Sequence, residues 1–148
     1  MAWKGQLFSS GSRGTPVHAG SFLRERRIVL DSGLRGGEWQ RILLHELFHF
    51  AWIRLSNAHR AGWTALIEIE LQSSARGELG WSAEWRKLAL DSHGERFRRD
   101  YLSESFCDTA AWRYGLFIEH DEFTLASRWR ERRRKWFNRT FPGGRVKV

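Results

Sequence analysis

Between Glu38 and Leu55 the apolar residues Ile42, Leu43, Leu47, Phe48, Ala51, Trp52 and Leu55 recur at intervals of three and four. That spacing predicts an amphipathic α-helix, because only a period near 3.6 puts all of them on one face. The same helix carries His45, Glu46 and His49, the pattern HExxH. Residues four apart lie one turn apart on one side, so whatever buries this helix must also accommodate two imidazoles.

At 148 residues the chain is expected to form one domain, and 9 Trp and 10 Phe exclude the disordered class. No apolar run has signal-peptide length or approaches the roughly 18 residues of a membrane span. Cys107 is the only cysteine, which excludes an internal disulfide and fits a reducing compartment. The expectation is a cytoplasmic protein, in which the sequon Asn138-Arg139-Thr140 is accidental. The net charge of +8 sits at one end: residues 128 to 148 hold nine Lys or Arg against one Glu, and the remainder is balanced.

The fold class read from the pattern is α+β. Short apolar pieces among Gly and Ser in the first thirty residues predict a small antiparallel sheet, with Ile28 to Leu30 its clearest strand. Ser56 and Asn57 end the first helix and cap a second that runs to about Gln72, although "LIEIELQ" also alternates like a strand. A loop at 73–82 precedes a short helix, "AEWRKLAL". The stretch "SHGE", 92 to 95, matches a capping box and predicts a long helix from near His93 to Tyr114. A last helix is expected from about Thr124 to Phe137.

On a helix, His45 and His49 can aim two nitrogens at one metal ion, with Glu46 beside it as a general base for a bound water. A catalytic zinc site needs a third ligand. In "YLSESFCDTAAWRYG", Glu104 and Asp108 are again four apart on a predicted helix, and two carboxylates on a half-apolar face are costly to bury without partners. A metal would partner one, and the second nitrogen of a ligand histidine the other.

His45-Glu46-x-x-His49 followed by Glu104-x-x-x-Asp108 resembles the gluzincin class of zinc metallopeptidases, in a compact form such as the minigluzincins. The resemblance implies Zn2+ held by His45, His49 and Glu104, Glu46 as general base and acid, and Asp108 orienting a ligand histidine, His45 by preference. It implies a peptide or protein substrate, and "RRIVLD", 26 to 31, as the edge strand above the cleft. It also implies a downstream donor to the oxyanion, for which His120 is preferred over Tyr114. The chain has Ser103 where many members of the family have Asn.

One other third ligand stays open. His93 in "DSHGERF" resembles the HGxxF of SprT-like metallopeptidases, in which it would be the third ligand of a nucleic-acid-associated zinc protein. His59 lacks the spacing and glycine of a metzincin third histidine. Cys107 fits a small core residue better than a ligand. In "RWRERRRKWF" the spacing of Trp129, Arg132, Arg133 and Trp136 predicts tryptophans packed inward and arginines facing water. That basic helix would serve either nucleic-acid phosphates or acidic protein substrates.

Overall fold

A computed structural model of the chain describes residues 2–3, 6–12 and 16–148, with side chains from Val17 onward. Five short strands come first: β1 (Ala2–Trp3), β2 (Gln6–Ser12), β3 (Pro16–Val17), β4 (Ala19–Phe22) and β5 (Arg27–Leu30). They form two antiparallel units, β1-β2-β3 and the hairpin β4-β5, rather than one sheet. Five α-helices follow among the described residues: α1 (Gly36–Arg54), α2 (Asn57–Gln72), α3 (Trp81–Leu88), α4 (Glu95–Tyr114) and α5 (Ser127–Thr140). The architecture is α+β, and none of these helices is long and apolar enough to cross a membrane.

The apolar face of α1 packs on α4, whose stretch from Tyr101 to Trp112 is almost wholly buried. Phe106 lies at the centre, with Phe48 of α1, Trp63 of α2 and Phe137 of α5 around it at ring-centroid distances of 5.2 to 5.9 Å. Tilted, edge-to-face and stacked pairs of this kind add to the apolar burial of each ring. The buried indole N–H of Trp63 donates to the Leu102 carbonyl at 3.1 Å, so α2 is hydrogen-bonded as well as packed to α4. Ser56 caps α2 as expected, accepting from the His59 N–H at 3.1 Å.

The capping box at 92 to 95 is not made. A 3-10 turn at Leu90–Ser92 engages the Ser92 N–H with the Ala89 carbonyl, His93 is extended, and α4 begins two residues later with Gly94 as an N-cap that offers no side chain. The last helix likewise starts late. The N–H groups of Thr124 and Leu125 both donate to the Glu78 carbonyl at 2.9 Å, Ala126 is extended, and the helix begins only at Ser127.

Arg133 departs furthest from its expected place. It is fully buried, and all five of its N–H groups are used: three bonds reach into the Glu70 and Glu78 carboxylates at 2.6 to 3.0 Å, one more to Glu78 at 3.0 Å, and one to Thr109 at 3.0 Å. Tyr101 donates to Glu78 at 2.6 Å, and Lys87 lies 3.4 Å from the same carboxylate. Two cations thus meet two carboxylates in a fully hydrogen-bonded cluster, the condition under which buried charge is tolerated. Burial alone would raise the Glu78 carboxyl, but the Arg133 charge and hydrogen bonds outweigh it and hold it below its ordinary value.

Gly77 closes the loop that presents Glu78. Its φ of +78 is in the left-handed region, and a Cβ there would lie 2.5 Å from the Thr124 backbone.

Replacing Arg133 with Ala leaves two buried carboxylates short of a counter-charge and should lower the unfolding free energy by about 3–5 kcal/mol. Urea unfolding followed by circular dichroism measures this; a loss under about 1 kcal/mol would mean that the cluster is not closed in solution.

Candidate metal centre

α1 and α4 lie side by side, so the HExxH face of one meets the Glu104–Asp108 face of the other. His45 Nε2 and His49 Nε2 are 3.2 Å apart, His45 Nε2 is 3.1 Å from Glu104 Oε2, and His49 Nε2 is 3.8 Å from Glu104 Oε1. Ligand atoms about 2.05 Å from a tetrahedral zinc are separated by roughly 3.3 Å. The three donors therefore already stand near the edge lengths of a zinc coordination tetrahedron. Among the described residues they are the one group of three or more His, Cys, Asp or Glu close enough to share an ion.

The partners of these groups match a metal site. His45 Nδ1 lies 2.7 Å from Asp108 Oδ1, and a proton held there leaves the Nε2 lone pair facing Glu104 and His49. Asp108 is itself fixed, because its Oδ2 accepts the Ala83 N–H at 2.8 Å, a free donor in the first turn of α3. Gly80 permits that approach: a Cβ on it would be 2.3 Å from Asp108 Cγ. Glu104 accepts from Ser82 at 2.7 Å and has the Arg86 guanidinium at 3.6 Å. Glu46 is buried beside the cluster, with the Ser21 hydroxyl between its backbone carbonyl, at 2.9 Å, and its carboxylate.

The charges in this mostly buried site act on one another. Burial disfavours the charged form of His45, yet the Asp108 and Glu104 carboxylates override it and push the imidazole well above its ordinary value. Burial and the neighbouring His45 lower His49. Burial likewise opposes the Glu104 carboxylate, but the His45 hydrogen bond and charge hold it far below the usual carboxylate range.

A cleft of about 210 Å³ opens beside the cluster, lined by Ala19, Ile42, Trp81 and Ser82 with His45, Glu46 and Asp108; His49 and Glu104 lie behind that lining rather than in it. Arg41 also lines it, half-turned into ion pairs with Glu38 and Glu122. The strand that reaches Glu46 is β4 through Ser21, and the segment 17 to 19 lines the cleft; β5, expected in that position at 26 to 31, is its hairpin partner.

The other sequence-level candidates lie elsewhere. His93 is exposed, bonded to the Ala89 carbonyl at 2.9 Å and stacked on Phe97, so the third-ligand role considered for it has no geometry behind it. His120 Nδ1 accepts the Glu122 N–H at 3.2 Å and its Nε2 pairs with Glu38 at 3.1 Å, and it is not among the residues that line the cleft. Tyr114 stacks on Phe48 in the core. His59 is exposed at the start of α2, and Cys107 is fully buried, its thiol pushed well up by that burial. Ser21, Gly80, Ser82 and Arg86 were not legible as site residues, because each acts through a contact between segments far apart in sequence.

No protein-family model, curated protein or solved structure matches this chain.

Two outcomes follow from this geometry. The Asp108 and Glu104 carboxylates favour a proton on His45 that a metal would displace, so zinc binding near neutral pH should release protons, and affinity should rise with pH until the metal-free His45 has titrated. Calorimetry in buffers of different ionisation enthalpy reads the proton count; zero release would show that His45 is neutral before binding. Gly80→Ala should force Asp108 away from His45 and lower zinc affinity by about 10–100-fold, measured by competition with a chelator of known strength.

Proposed function

We propose that the chain is a zinc-dependent metallopeptidase of the gluzincin type. The observation that carries this reading is the convergence of His45, His49 and Glu104 beside Glu46, with Asp108 bonded to the far nitrogen of His45. The donor set of two imidazoles and one carboxylate suits zinc, and three protein ligands are the number that catalytic zinc sites use.

A zinc ion held by these three residues would supply Lewis acidity, lowering the pKa of a coordinated water to about 7 and polarising a substrate carbonyl. The chain's own residues would carry the proton traffic. Glu46 faces the cleft from the same helix turn as His45, where its carboxylate can take a proton from the attacking water and return it to the departing amine. Ser21 fixes that carboxylate from β4, so the base need not search for its orientation. Asp108 keeps the His45 tautomer with Nε2 free, and Ser82 with Arg86 hold Glu104 in place. The hairpin edge at β4 borders the cleft and offers backbone groups to an extended peptide, the mode by which a chain adds as a strand.

Elemental analysis of the purified protein should give about one zinc per chain, lost in Glu104→Ala and retained in His93→Ala. Glu46→Gln should keep the metal and lower cleavage of a peptide library by at least about 10²-fold. A native protein without metal, or a Glu46→Gln variant as active as the native one, would end the peptidase reading.

A further inference from the structure

The exposed face of α5 carries a row of cations. Arg128, Arg132, Lys135 and Arg139 follow one another at steps of four, three and four, which places them on one side of the helix. All four are exposed, and none makes an ion pair among the described residues. Their neighbours are already spoken for: Arg130 pairs with Glu119, Arg134 with Glu131, and Arg133 is sealed in the core. At 1.5 Å per residue the row spans about 16 Å.

The row is partly pre-ordered. The guanidinium groups of Arg128 and Arg132 both lie over the buried Trp129 ring, at 4.9 and 5.0 Å from its centroid, which restrains two side chains that would otherwise lose freedom on binding. Beyond Arg139 the chain turns back, and Arg54, Arg145 and Lys147 line a hollow of about 320 Å³ next to the end of α5. Positive charge thus continues past the helix with no carboxylate among the residues lining that hollow.

We infer that this row is a binding site for the phosphate backbone of nucleic acid, sequence-independent and separate from the metal centre. A line of unpaired, mostly Arg cations suits a polymer of evenly spaced phosphates, to which a guanidinium donates two parallel hydrogen bonds. Base stacking is not part of the site, since no aromatic side chain stands exposed along the row. A bilayer fits less well: the groove beside the row has Ile69 as its only large exposed apolar side chain, too little to insert.

The inference does not depend on the peptidase reading, and its test reads binding alone. Fluorescence anisotropy of the full chain with a labelled 20-base-pair duplex of arbitrary sequence should show binding that weakens with salt. Four phosphate contacts give a log–log slope of about −4, a loss of roughly 10²-fold between 50 and 200 mM salt. The variant Arg128→Gln/Arg132→Gln/Lys135→Gln/Arg139→Gln should lose that binding while keeping its helical circular dichroism. The milder Lys135→Gln/Arg139→Gln pair leaves both Trp129 contacts intact and should halve the slope. Equal affinity of native and substituted proteins for the duplex would overturn the assignment. So would tighter binding to polyglutamate or to phosphatidylserine vesicles than to the duplex.

Discussion

The closed cluster around Arg133 is the interaction on which the rest of the structure leans. One guanidinium on α5 ties Glu70 at the end of α2 to Glu78 in the following loop and to Thr109 on α4. Because every N–H is used and the charges balance, the cluster has one satisfactory geometry, and departures from it leave a buried charge unpaired. The Glu78 loop is therefore set against α4, and the Glu78 backbone carbonyl in turn sets the segment at Thr124 and Leu125.

That loop leads directly into the candidate metal centre. Two residues after Glu78 comes Gly80, pressed against the Asp108 carboxylate, and then α3, whose first turn supplies the Ala83 N–H to Asp108 and the Ser82 hydroxyl to Glu104. Asp108 sits next to Thr109, which the cluster also holds. Orientation passes from Arg133 to Asp108 and from Asp108 to the His45 ring. A site of this kind must be held within fractions of an ångström, and here the holding groups are polar, buried and reciprocally bonded.

The basic end of the chain divides into two uses of one helix. Its inward face buries Arg133 together with Trp129, Trp136 and Phe137; its outward face leaves in water four cations that are unpaired among the described residues. The composition of the last residues made the charge visible but not this division, since a run of arginines has no pattern that marks which member has buried carboxylates waiting for it.

Local periodicity and spacing were enough to determine the α1 helix, the shared face of His45 and His49, the turn relation of Glu104 to Asp108, the Ser56 cap and the α+β class, because each depends on residues within a turn or two of one another. The resemblance implied Glu104 beside the two histidines and Asp108 on His45; only the tertiary structure decided that His93 and His120 stand apart from them, that β4 rather than β5 reaches Glu46, and that Arg133 is interior. The start of α5 also depends on a contact between distant segments, since Thr124 bonds to Glu78, 46 residues away, and stands outside the helix. Such contacts join segments whose separation leaves no trace in local spacing, and their energy exists only once the chain has closed around them.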